Sequence, residues 1–198
     1  MNRKTIYHIK TENPEMFEIL HMRPEGSIAP KTVGWIKYLP GQGIDVTMRC
    51  YETRPRAIYW DPNGAIYTDS CMEFYINCFP EIPQKGYLNL EMNSNGAAFC
   101  SFGTSRHARS LVIDMGLPHP EVEAEKHADY WQVHCLIPAK LFEALYGMPF
   151  DFPAGHRMEG NFYKCGDHTV SPHWGSWVPM PRLDFHDPDS FGTFVIAE

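Results

Sequence analysis

Apolar and polar residues alternate with a period of two through several short stretches of this chain. In "IDVTMRCY" (44–51), Ile44, Val46, Met48 and Cys50 fall on one side, and Asp45, Thr47, Arg49 and Tyr51 on the other. Such alternation marks a strand with one buried face. "CMEFYINC" (71–78) puts Met72, Phe74, Ile76 and Cys78 inside and Glu73, Tyr75 and Asn77 outside. "YLNLEMN" (87–93) buries Leu88, Leu90 and Met92, and "YWQVHCLI" (130–137) buries Trp131, Val133, Cys135 and Ile137. "AAFCSF" (97–102), "GTFVIA" (192–197), "TIYHIK" (5–10) and "VGWIKY" (33–38) read as further strands. Turn signals at "PGQG", "DPNG" and "NSNG" separate them.

One stretch changes period. "IPAKLFEALYG" (137–147) has Pro138 at its start, Leu141, Phe142 and Leu145 on one face and Gly147 as a stop, which predicts a short helix. Residues 103–128 are irregular and carry Arg106, His107 and Arg109. No repeat, low-complexity tract or linker interrupts the chain. The expected architecture is one domain over residues 1–198, all-β, an antiparallel β-sandwich of jelly-roll type with one short helix.

At 198 residues the chain is long enough for a substantial core. A net charge of −7 argues against nucleic acid or an anionic membrane as partner. No apolar run is long enough to span a bilayer, and "MNRKTIYHIKTENPEMFEIL" has no signal-peptide core. A cytoplasmic location is expected, or a secreted one if a leader has been removed. The six cysteines form no C-x-x-C pair, and Cys50, Cys78, Cys100 and Cys135 fall on apolar faces, so all six are expected as free thiols.

The polar strand faces are unusual in kind. Tyr75, Asn77, Tyr87, Asn89, Glu91, Asn93, Tyr130, Gln132 and His134 are groups that hydrogen-bond and stack on sugars, where a plainly wet face would carry Lys, Glu and Thr. Such a set fits a ligand face, an ordinary solvated one, or one covered by the long loop. "NFYKCGDHTVSPHWGSWVPM" (161–180) concentrates further chemistry. Cys165, His168 and His173 have one half of a zinc-ligand spacing but lack a second paired set. Trp174 and Trp177 sit in a Pro/Gly/Ser-rich loop, where tryptophans can stack on a flat ligand face or plug one end of a sandwich. Glu73 and Glu91 fall on the polar registers of consecutive strands, as an acid–base pair for glycoside hydrolysis would, or as two acceptors of sugar hydroxyls.

The runs "IYTDSCMEFYI", "YLNLEMNSNG", "WQVHCLIP" and "NFYKCGD…PHWGSWVPM…DFHDPDSFGTFVI" resemble the family 9 carbohydrate-binding modules, in particular their stand-alone bacterial branch, from about residue 35 to the end. The resemblance implies a β-sandwich that clamps a sugar, often a chain end, between two aromatic side chains and takes part in carbohydrate catabolism without catalysis. Carried over by motif, Glu73 is the hydroxyl-binding glutamate, Tyr67 the first clamp residue, and Glu91 and Asn93 polar positions on the next strand. Trp177 is the preferred second clamp residue and Trp174 its alternative, with Lys164 and Asp167 as a polar edge. The resemblance also implies a saccharide ligand, a separate glycoside hydrolase as partner, and structural calcium in some members. "DPNG" (61–64) and "DFHDPDS" (184–190) hold acidic oxygens but match no full calcium loop. A hydrolase using Glu73 and Glu91 is the alternative.

Overall fold

The computed structural model describes residues 5–25, 27–62 and 64–197. Its strands, in chain order, are β1 (Ile6–Ile9), β2 (Phe17–Glu18), β3 (His21–Arg23), β4 (Thr32–Leu39), β5 (Gly43–Cys50), β6 (Cys71–Asn77) and β7 (Tyr87–Asn93). They continue with β8 (Ala98–Ser105), β9 (Ala108–Leu111), β10 (Val122–Lys126), β11 (Trp131–Pro138), β12 (Arg157–Cys165), β13 (Trp174–Ser176) and β14 (Gly192–Ile196). One sheet runs β1-β14-β12-β6-β7-β8-β9, with β13 pairing β12 and β3 beside it. The other runs β10-β11-β5-β4-β2. Pairing is antiparallel apart from β1 with β14 and one isolated bridge, Lys10 with Lys37.

The alternation predicted from sequence supplies the core between the sheets. Met72, Phe74, Ile76, Leu88, Leu90 and Met92 from the first sheet meet Val46, Met48, Trp131, Val133 and Cys135 from the second, all at 1% exposure or less. Phe162 of β12 stacks on Phe74, with centroids 5.0 Å apart. The helix α1 (Ala139–Tyr146) follows an extended Pro138 and ends at Gly147, whose φ of 63° suits a residue without a Cβ. It buries Leu141, Phe142, Leu145 and Tyr146 against the sandwich. All six cysteines are buried free thiols.

Four features differ from the sequence reading. The irregular region contains β9 and β10. β12 lies at the centre of the first sheet, where the sequence shows no alternation, because Asn161 to Cys165 are buried on both faces. The polar faces of β6 and β7 are not wet: Glu73, Tyr75, Asn89 and Glu91 are each exposed by 5% or less. Residues of the 166–191 segment (Met180, Phe185, Phe191) and of the 3-10 turn Ile66–Thr68 pack over that face. Finally, Tyr130, Gln132 and His134 belong to the opposite sheet, where Arg49 lies over the Tyr130 ring and bonds Gln132, and His134 bonds Asp45.

Candidate functional site

The face of the first sheet turned away from the core forms the floor of a slot. Register sets its members. Cys165 pairs Cys71, Tyr163 pairs Glu73, Glu73 pairs Glu91, Tyr75 pairs Asn89 and Asn89 pairs Ser101. Period-two side-chain direction then puts Cys71, Glu73 and Tyr75 of β6 beside Asn89 and Glu91 of β7. The cavity above this floor has a volume of about 530 Å³, within the range of small-ligand sites. Tyr67, Asp167 and Trp174 line it, as do Arg106, Arg109, Leu183, Phe185 and His186.

Two groups of side chains carry the walls. In the first, Trp174 sits opposite Cys165 on β13 and donates Nε1–H to Asp167 Oδ1 at 2.7 Å. The Asp167 amide donates to the Tyr67 carbonyl at 3.3 Å, so Asp167 links the two aromatic residues. In the second, the segment after Met180 is fastened to the floor. Phe185 stacks on Tyr163 at 4.1 Å, and Tyr163 Oη–H donates to the Phe185 carbonyl at 3.0 Å. His186 lies within hydrogen-bond distance of Tyr75 Oη, Tyr87 Oη and Arg109 Nη1, at 3.1, 2.8 and 3.1 Å.

The chemistry of His186 follows from these partners. Burial first, and then Arg109, hold its pKa down at about 3, so the ring is neutral. Arg109 can only donate, so Nε2 accepts and Nδ1–H donates to Tyr87 Oη. Arg109 Nη1 also donates to Asn89 Oδ1 at 2.7 Å, and its guanidinium lies over the Phe99 ring. On the floor, burial pushes the Glu73 carboxyl up from its ordinary range. Burial and the neighbouring Glu73 push Glu91 to about 8, with Arg109 pulling the other way. The pair therefore retains a proton at neutral pH and can both donate and accept hydrogen bonds.

Several expected site residues stand elsewhere. Trp177 is a core residue. It stacks on Phe194 at 5.4 Å and meets Phe162 and Tyr7 edge-on. Its amide bonds to Phe162 O, continuing the β13–β12 ladder. It lies three positions after Trp174, an odd offset that sends the two rings to opposite sheet faces. Trp174, the alternative, is the tryptophan that lines the slot. Asn93 does not line it: Nδ2 donates to Asp69 and the Tyr59 carbonyl, tying β7 to those two residues, and Oδ1 accepts from the amides of Asn95 and Ala97, closing the turn after β7.

Lys164 points to the opposite face from Cys165 and is fully buried. Its ammonium donates to Ser70 Oγ, the Cys165 carbonyl and His173 Nε2, at 3.0, 2.8 and 2.8 Å. His173, depressed to about 4 by burial and then by Lys164, is a neutral acceptor whose Nδ1–H donates to Ser171 O. Cys165, His168 and His173 therefore do not converge: His168 is exposed and His173 belongs to the lysine. Of the acidic groups in 184–190, Asp184 lies within ion-pair distance of Arg106 and Arg182, and Asp187 of Arg182. Among the described residues no three carboxylates there gather as a calcium site would need.

The sequence reading missed His186, Phe185 and Leu183, which sit in a loop with no periodic signal. Tyr75 stands in the sequence on the polar face of its strand, and Arg106 and Arg109 stand in a stretch with no motif that assigns them a role. The one available pointer to His186 was its place in the "DFHDPDS" run that carried the resemblance.

Comparison with known proteins agrees with this architecture. A structure from Bacteroides uniformis, a candidate carbohydrate-binding protein, superposes with a TM-score of 0.76 at 21% identity over 98% of this chain and 99% of that one. A family 9 carbohydrate-binding module from Caldicellulosiruptor kristjanssonii in complex with cellotriose superposes at 0.66, with 11% identity over 98% and 93%. A glucose complex from the same organism gives 0.67, with 9% identity over 97% and 95%. No curated protein matches the chain. The sequence profile of carbohydrate-binding family 9 matches residues 38–196; the chain belongs to that family.

Proposed function

We propose that the slot binds a saccharide without cleaving it. One observation carries the reading: Tyr67 and Trp174 share a slot with a buried floor of paired polar groups, Glu73 and Glu91, and with Arg109 at its edge. Apolar C–H faces of a sugar ring pack on aromatic side chains, and hydroxyls exchange hydrogen bonds with carboxyl and guanidinium groups. The relatives in complex with cellotriose and glucose support the ligand class. A separate glycoside hydrolase that releases or consumes such saccharides is the natural partner.

Hydrolysis by the slot itself is the second reading, and the register speaks against it. Glu73 and Glu91 are cross-strand neighbours on one floor. A general acid and its partner carboxylate flank the scissile bond and leave it room between them. Two adjacent floor groups address a ligand from the same side.

A glycan array followed by calorimetry on the best ligand tests the proposal. Binding should be lost in Trp174→Ala and weakened in Glu73→Gln. Steady release of reducing sugar by the native protein, abolished in Glu73→Gln, would replace binding with catalysis. An array with no ligand would end the saccharide reading.

A further inference from the structure

Two residues of the slot floor have no part in the saccharide reading. Cys71 and Cys165 are directly opposed on β6 and β12, and Glu73 follows Cys71 by two residues on the same face. One ligand atom from each of the three lies within 4.8 Å of the others. Cys165 Sγ–H donates to Glu73 Oε1 at 3.0 Å.

We propose that Cys71, Cys165 and Glu73 form a binding site for a thiophilic divalent cation of the zinc class, with its fourth coordination position opening into the slot.

The donor set selects the metal. Two sulfurs with one carboxylate suit zinc or cadmium, whereas calcium and magnesium take oxygen ligands. The spacing is compatible as well. Tetrahedral zinc with Zn–S near 2.3 Å and Zn–O near 2.1 Å has ligand–ligand edges of about 3.6–3.8 Å, and the three atoms lie within 4.8 Å of one another. Their backbones are fixed by adjacent strands of the first sheet, so little ordering is needed to bring them together.

Access and charge are consistent with this site. Cys165 and Glu73 line the cavity, which gives the cation a path to Cys71 behind them. Burial raises the pKa of all three groups, so they hold protons while no cation is present. The cation would take the place of those protons, and uptake should strengthen as pH rises. The facing charges are Arg109 and Asp167 near Glu73, and Glu91 and Lys164 near Cys71. Arg109 and Lys164 offset the negative charge left by two thiolates and a carboxylate on a divalent ion.

The metal site does not depend on the saccharide reading, but the two share Glu73. A cation drawing on this carboxylate changes what the floor offers to a hydroxyl. An open fourth position also lets a sugar oxygen or water complete the coordination.

The test begins with the reduced native protein, stripped with chelator and titrated with Zn²⁺ by calorimetry and with Cd²⁺ or Co²⁺ by absorption. One equivalent should bind with a thiolate-to-metal band. The band should disappear in Cys71→Ala and in Cys165→Ala, each checked for folding by circular dichroism. Glu73→Gln should weaken binding by more than about tenfold, since even outer ligands of metal sites are worth that much. His168→Ala, an exposed control, should leave it unchanged. Absence of a thiolate band in the native protein, or a band that survives both cysteine substitutions, overturns the site. A glycan array run on stripped and zinc-loaded protein separates the two readings. Thiolate-bound zinc without any glycan ligand rejects the saccharide function alone, and glycan binding without a thiolate band rejects the metal site alone.

Discussion

Glu73 and Glu91 stand directly across from each other on β6 and β7, exposed by only 2% and 5%. Two carboxyls this close and this dry do not both ionise at neutral pH, and Arg109 only partly offsets the cost. The floor of the slot is therefore a proton store as well as a hydrogen-bonding surface.

This sets a pH dependence of stability. Glu91 titrates near 8 in the fold and at its ordinary 4.5 when unfolded. Between those values the folded state holds a proton that the unfolded state has lost, so stability falls as pH rises. His173 and His186, depressed to about 4 and 3 from 6.5, act in the opposite sense, adding stability as pH rises to 6.5. Above 6.5 their contribution is complete and the carboxyl pair governs. The thermal midpoint should decline between pH 6.5 and 8, and Glu91→Gln should flatten most of that decline. A native midpoint that rises over this interval would contradict the assignment.

The two tryptophans should separate cleanly. Trp177→Ala empties a core position against Phe194 and Phe162 and should cost about 3–5 kcal/mol in urea denaturation. Trp174→Ala removes a half-buried slot wall and should cost about 1 kcal/mol while abolishing glycan binding. The reverse pattern would return Trp177 to the ligand.

Lys164→Met should destabilise the fold by ~2 kcal/mol or more, because Ser70, His173 and the Cys165 carbonyl lose a shared buried donor. It should also let His173 titrate closer to 6.5, since Lys164 is the second cause of its depression. Proton NMR titration of the ring reads this directly. An unmoved His173 would place its depression in burial alone.

Gly160→Ala should be among the most damaging single substitutions. A Cβ there would lie 2.0 Å from the Tyr75 carbonyl oxygen and 2.6 Å from the Phe194 ring. A paired backbone cannot yield that distance, and a loss of at least about 3 kcal/mol is expected by analogy with severe overpacking. A folded variant of native stability would show that β6 and β12 can separate.

The strands with one polar and one apolar face were legible from their alternation. β5, β6, β7 and β11 bury the predicted residues because the period-two rule needs only local sequence. β12 was hidden for the same reason: Gly160, Asn161 and Lys164 sit in a strand buried on both faces, where apolar alternation has no cause to appear. Which strands share a sheet depends on long-range pairing, so Tyr130, Gln132 and His134 could not be told from the slot face. Spacing bears on the choice between Trp174 and Trp177. Trp174 and Trp177 are an odd number of residues apart in a segment that continues a ladder, and one of them had to face the core.

The slot floor is as shielded from water as the hydrophobic interior beneath it. Tyr75, Tyr163, Cys71 and Cys165 are each exposed by 1% or less and form a second cluster on the outer side of β6 and β12. Ligand preference on such a scaffold divides into two inheritances. Changes in the floor alter recognition only by disturbing a core, and they draw on a small reserve of stability. Changes at the exposed rim, at Tyr67, Arg106 and Leu183, meet no such resistance. Descendants of this chain that bind different ligands should therefore keep the floor and diverge at the rim.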